Sequence, residues 1–146
     1  MFVVPTSQGM GVNIRMKIEF TPIGYLYTQA ESIPRHWSVS DEKGSIVVQE
    51  KYAPGIRDIS QGQEIVVIFY FDKSPEFSDS YLIQKPPHKS ESHGVFSICS
   101  PRRPNPIGMS VLKVLGVEDN IIYVHRVDMM DNTPVLDIKP FISSKQ

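Results

Sequence analysis

From Gly94 to Val117 the chain reads G-V-F-S-I-C-S-P-R-R-P-N-P-I-G-M-S-V-L-K-V-L-G-V, and no other stretch restricts the fold as strongly. Pro101, Pro104 and Pro106 each lock φ near about −65°, and the last two push Arg103 and Asn105 towards extended backbone. A helix cannot run through such a segment. Gly108 then permits a bend that a Cβ would resist. Met109 to Val117 is rich in β-branched and aliphatic residues, as a buried strand would be, and Gly94 to Ile98 reads as the strand leading in. The expectation is a stiff polar loop, largely without hydrogen bonds of its own, clamped between two strands. Proline removes backbone donors but leaves carbonyls free. The loop therefore either offers acceptors to a ligand at little ordering cost or serves as a rigid surface connection.

The rest of the chain is punctuated for strands as well. Twelve prolines in 146 residues exceed the average share of roughly 5% and favour loops and strand edges over long helices. Lys17 to Tyr27 alternates apolar and polar positions, a strand with Pro22 at an edge or bulge. Ser45 to Glu50 is a short strand, and Glu64 to Phe71 a continuous apolar run that suits a strand buried on both faces. Met109 to Val117 and Ile121 to Val127 read as a hairpin about Glu118-Asp119-Asn120, with Val135 to Phe141 as a last strand or extended segment. Asp72 to His93 is the longest polar excursion, functional or mobile. Residues 1–15 read as an arm or an extra strand, and residues 16–146 as one domain. Many short strands with almost no helical period make an all-β barrel or sandwich.

A single domain of this length buries about two-thirds of its unfolded surface. A net charge of −1 argues against coating nucleic acid by bulk electrostatics, while a local basic patch remains open. The single cysteine, Cys99, excludes an internal disulfide and fits a reducing compartment. No apolar run approaches the roughly 18 residues of a membrane span, and no signal peptide is evident, so the expected location is cytoplasmic.

The proline loop carries G-V-F-x-x-x-S-P-x-R-P-N-P-I-G-x-S. Downstream comes Asp128-Met-Met-Asp131-Asn-Thr133-Pro134-Val135-Leu136-Asp137-Ile138-Lys139-Pro140-Phe141. These two motifs resemble those of the TrmO family, also called TsaA-like. Phe20-Thr-Pro-Ile-Gly-Tyr-Leu-Tyr resembles that family's first strand, and Ile33-Pro34-Arg35-His36 its V-P-R-Q. The resemblance spans roughly residues 18–142. It implies a mainly β fold, a single-sheet antiparallel β-barrel, and an S-adenosylmethionine (SAM)-dependent tRNA methyltransferase, usually a homodimer. The implied acceptor is N6 of the threonylcarbamoyl-adenosine next to the anticodon. No G-x-G-x-x-G follows a strand here, which independently disfavours a Rossmann methyltransferase.

By resemblance the cofactor-binding residues are Pro34, Arg35, His36, Asp72, Lys73, Cys99, Met109, Thr133, Pro134, Val135 and Leu136. Arg35 suits a two-point contact with the SAM carboxylate, or is a solvated loop arginine. Asp128, Asp131 and Asp137 can accept from ribose hydroxyls, the SAM amine or Lys139, and Asp131 equally suits a turn. Lys139 suits a structural pair with Asp137. Trp37 stacks on a base or anchors its loop. Arg102, Arg103 and Lys113 are the RNA-binding candidates, with Lys85, His88, Lys89 and Arg126 adding charge. A general base could be His36, His93, Asp72 or Asp137, with nothing to choose among them. His88, His93, Cys99 and His36 match no closed zinc pattern, so no metal is expected.

The chain departs from the family pattern close to the ligand. Cys99 stands where relatives have the arginine of F-A-T-R-S-P, His36 where they have glutamine, and Asp72-Lys73 where they have His-Gln. Cysteine cannot make a bidentate contact. The same reaction, a different acceptor, or a SAM- or RNA-binding module without turnover all remain open on these residues.

Overall fold

A computed structural model describes residues 16–144, and residues 1–15, read above as an arm or extra strand, lie outside the described residues. Among the described residues there are eight strands: β1 (Gly24–Tyr27), β2 (Lys43–Val48), β3 (Glu64–Tyr70), β4 (Ile83–Gln84), β5 (His93–Gly94), β6 (Ile107–Glu118), β7 (Ile121–His125) and β8 (Thr133–Pro140). Six of them close into a barrel in the order β1-β2-β7-β6-β3-β8, and all six neighbouring pairs are antiparallel. The expected single-sheet barrel is what forms. β4 and β5 make a separate two-stranded sheet within the long polar excursion.

Strand alternation decides what fills the barrel. Leu26, Ile46, Val48, Val67, Leu112, Val114, Ile122, Val124 and Val135 are all but fully buried and point inward from six different strands. β3 is apolar throughout, yet it is not buried on both faces. Ile65, Val67 and Phe69 face the core while Val66 and Ile68 are only half-buried on the outer wall. A small closed barrel has one interior, so its outer wall meets water even where the residues are apolar.

Three further expectations are corrected. The first strand begins at Gly24 rather than Lys17, and Met16, Ile18 and Phe20 are exposed ahead of it. Gly94 to Ile98 is not a strand but a 3-10 turn over Val95–Ser97, following the two-residue β5. Gly108 does not make a bend; it lies inside β6, buried, because an added Cβ would overlap the Phe69 ring and come within 2.8 Å of Phe71 Cζ.

The hairpin between β6 and β7 turns at Asp119-Asn120, where Asp119 has φ 53° and Asn120 Nδ2 donates to Val48 O at 2.6 Å. β6 is long enough to serve two neighbours. Its first half pairs with β3 as far as Lys113, and from Lys113 onward it pairs with β7, through a register shift between Val114 and Gly116. β7 stops at His125, and Arg126, with φ 74°, turns the chain away from β6. The segment 126–132 therefore runs past the first half of β6 instead of continuing the ladder.

Candidate active site

Where that segment leaves β6, one end of the barrel opens into a cavity of about 680 Å3. Its floor is made by inward-facing barrel residues: Phe69 from β3, Gly108 and Ser110 from β6, and Thr133 at the start of β8. The small glycine lets the aromatic rings close the floor, with Phe69 and Phe71 edge-on at 5.0 Å between centroids. Met109, Met129 and Met130 add polarizable apolar wall. The rim is polar. Ile33 to Trp37 borders one side, Asp72 to Pro75 another, and the proline loop, through Ile98, Cys99, Pro101, Arg102 and Arg103, a third.

The proline loop is more tied down than its sequence suggests. Arg103 Nη1 donates to Ile98 O at 3.0 Å and Ser100 O at 3.1 Å, stapling the loop to itself. Gln84 Nε2 donates to Arg102 O at 2.7 Å, Ser74 Oγ to Pro101 O at 3.1 Å, and the Phe71 N–H to Pro106 O at 2.8 Å. The carbonyls freed by proline are taken up by neighbouring segments, and the loop is rigid for that reason as well as for its rings. Arg102 lies over the Tyr81 ring at 4.8 Å and donates to the Tyr81 hydroxyl at 2.7 Å.

Asp128 is the carboxylate set deepest in the wall. Ser110 Oγ, itself fully buried, donates to Asp128 Oδ1 at 2.5 Å. Burial pushes the Asp128 pKa above the usual carboxylate range, against the opposing pull of Ser110, the charge of His36 and the backbone N–H of Trp37. His36 packs its ring on Trp37 at 4.9 Å, and its Nδ1 accepts from the Ser38 N–H at 3.2 Å, capping a 3-10 turn over Trp37–Val39. In the neutral ring the proton then sits on Nε2. Asp72 and Lys73 are half-paired at 3.5 Å, and Lys73 Nζ also donates to Asp131 O at 3.0 Å. Asp131 Oδ1 accepts from the Thr28 N–H at 2.9 Å, so it ties β1 to the turn before β8 instead of bonding its own turn.

Of the residues singled out for the cofactor, Pro34, Arg35, His36, Asp72, Lys73, Cys99, Met109 and Thr133 all border this one cavity. Pro134, Val135 and Leu136 do not: they continue β8 away from it, and Val135 faces the barrel core. Arg102 and Arg103, singled out for RNA, border the cavity too. Lys113 lies further along β6, opposite Glu64 and His125, and Arg126 is engaged with Glu64 at 2.8 Å. Lys139 meets Asp137 at 2.8 Å outside the cavity. No group of three or more His, Cys, Asp or Glu side chains placed to hold a metal occurs among the described residues. Sequence reasoning passed over Ser110, Phe69 and Phe71, and treated Asp128 only as one of three acceptors. The one signal for Asp128 was its place at the head of D-M-M-D.

The model of the tRNA-methyltransferase O N-terminal domain matches residues 23–145. The chain belongs to this family. An S-adenosyl-L-methionine-binding protein of Archaeoglobus fulgidus is 37% identical over 82% of this chain and 86% of its own length. A probable S-adenosyl-L-methionine-binding protein of Pyrococcus abyssi is 34% identical over 87% of this chain and 70% of its own. The human tRNA (adenine(37)-N6)-methyltransferase is 32% identical over 84% of this chain, which spans 30% of that enzyme. Among solved structures, TrmO of Pseudomonas aeruginosa superposes with a TM-score of 0.69 at 26% identity, covering 87% of this chain and 57% of that one. The chain thus spans little more than half of that TrmO and under a third of the human relative. No helix among the described residues is long and apolar enough to cross a membrane.

Proposed function

We propose that this domain binds SAM in the 680 Å3 cavity and methylates an adenosine of tRNA at N6, the acceptor being threonylcarbamoyl-adenosine beside the anticodon. One observation carries the reading: residues from the P-R-H patch, the proline loop and the D-M-M-D-N-T segment, far apart in sequence, border a single cavity. The residues fit the group. Phe69, Phe71 and the methionines offer apolar, polarizable surface for a sulfonium and an adenine, and Asp72 offers an acceptor. Arg35, exposed on the rim, and Arg102 are the guanidinium groups available for a carboxylate where Cys99 replaces the family arginine.

When bound, SAM supplies an electrophilic methyl group. The domain's share is orientation and exclusion of water, which together supply much of the acceleration in a direct transfer. The rigid loop and the stapled Asp72-Lys73 corner keep the rim in place without ordering cost. A basic rim, with Arg35, Lys73, Arg102 and Arg103, suits the phosphates of an anticodon arm. The domain is further proposed to pair as a homodimer. The closed barrel has no free edge to cover, so the support is the exposed apolar side chains, with Met109 and Met130 bordering the cavity and Phe96 on the turn before the proline loop.

Methyl transfer from labelled SAM to total tRNA, followed by nucleoside mass spectrometry, tests the reading. Label in methylated threonylcarbamoyl-adenosine supports it, and label in another nucleoside corrects the acceptor. A second reading, SAM binding without turnover, is favoured by Cys99 and by the binding-only name of the Archaeoglobus relative. Calorimetric heat with SAM but no transfer would select that one.

A further inference from the structure

Resting on the methyltransferase reading, we infer that Asp128 is the proton acceptor for the methylated nitrogen and that Ser110 is its positioning residue. The geometry separates Asp128 from the other acidic and basic groups of the molecule. It borders the cavity from the segment that Arg126 turns away from β6, and the buried Ser110 hydroxyl on β6 holds its Oδ1 at 2.5 Å. The backbone N–H of Trp37 also points at this carboxylate. Asp72 is partly neutralised by Lys73 at 3.5 Å, and Asp137 is spent on Lys139 at 2.8 Å, outside the cavity. His93 sits in β5 and does not border the cavity, and His36 Nδ1 is taken by Ser38. Among the described residues Asp128 combines a place in the cavity wall, donors that fix its orientation, and no ion pair with a lysine or arginine.

The chemistry requires such a group. An adenine nitrogen that also carries a carbonyl has its lone pair spread into two π-systems and is a poor nucleophile until its proton is drawn off. As the N–CH3 bond forms, the N–H bond breaks and its proton passes to Asp128, while the electron pair of the breaking S–CH3 bond stays on sulfur as the neutral thioether. Asp128 then returns the proton to solvent. A carboxylate whose pKa is raised by burial is the stronger base for this purpose. His36 faces Asp128 directly, and the other charged and titratable groups bordering the same cavity are Arg35, Lys73, Asp72, Arg102, Arg103 and Cys99.

The test compares wild type with Asp128→Asn and Ser110→Ala in the full chain, reading S-adenosylhomocysteine affinity by calorimetry and methyl transfer to tRNA against pH. Asp128→Asn keeps the shape and can still accept from Ser110. Its kcat is expected to fall a hundredfold or more with the S-adenosylhomocysteine affinity within threefold. Ser110→Ala removes a bond that favours the carboxylate, so the acid limb of kcat is expected to move to higher pH. Full turnover by Asp128→Asn overturns the inference while the methyltransferase reading stands. Joint loss of affinity and turnover overturns it too, making Asp128 a ligand of the cofactor. An acid limb unmoved in Ser110→Ala removes the positioning role. If wild type binds S-adenosylhomocysteine and transfers no methyl to any tRNA, the functional reading fails and this role fails with it.

Discussion

At the scale of single residues, Gly108 and Asp128 show how packing and burial shape the barrel's open end. Gly108 is present because Phe69 and Phe71 occupy the space a side chain would need. Gly108→Ala forces those rings off their packing and is expected to cost about 1–3 kcal/mol. A thermal melt should fall by several degrees, with the cavity floor disturbed as well. Asp128 works in the opposite sense. Its folded pKa lies above its unfolded one, so between the two the folded state holds more protons, and stability declines as pH rises through that window. At neutral pH the buried charge is a liability. Asp128→Asn is therefore expected to melt no lower than wild type at pH 7, and any advantage should shrink on acidification. A clearly lower melting temperature at pH 7 would count against this account. Neither role could be read from the residue alone, because Gly108 looked like a bend and Asp128 like one acceptor among three.

At the scale of elements, the proline loop is the decisive piece. Its rigidity was legible in Pro101, Pro104 and Pro106, since a ring fixes φ whatever surrounds it. Its bonding was not, because the donors come from Gln84, Ser74 and the Phe71 backbone, distant in sequence. Arg102 and Arg103, adjacent in the chain, also have different surroundings. Arg103 staples carbonyls within the loop, whereas Arg102 stacks on Tyr81 at the rim. Arg103→Ala should cost about 1 kcal/mol in denaturant unfolding, given its partial exposure, and should speed proteolysis of the loop. Arg102→Ala should leave that stability nearly unchanged. It should weaken tRNA binding and reduce its salt slope by about one, if Arg102 meets a phosphate. Loss of SAM affinity with an unchanged salt slope would instead give Arg102 the carboxylate contact that Cys99 cannot make.

At the scale of the whole molecule, light scattering should return twice the 16.5 kDa chain mass at micromolar concentration, and a single chain mass would retire the homodimer. Sequence by itself determined the class of structure: β-branched runs and frequent prolines act locally, and Met109 to Val117 and Ile121 to His125 form the hairpin that their pattern predicts. It also carried the family, because two long motifs remain legible despite Cys99 and the other departures near the ligand. The tertiary structure decided the rest. Closure depends on β1 meeting β8, a pairing of Gly24 with Val135 that no local pattern encodes. The same closure leaves only one face of β3 buried and exposes Met16, Ile18 and Phe20, which alternate like a strand ahead of Gly24. The cavity exists because Arg126 turns the chain away from β6 while Gly108 yields room to two rings. Burial and long-range contact set those outcomes, and both are properties of the folded chain.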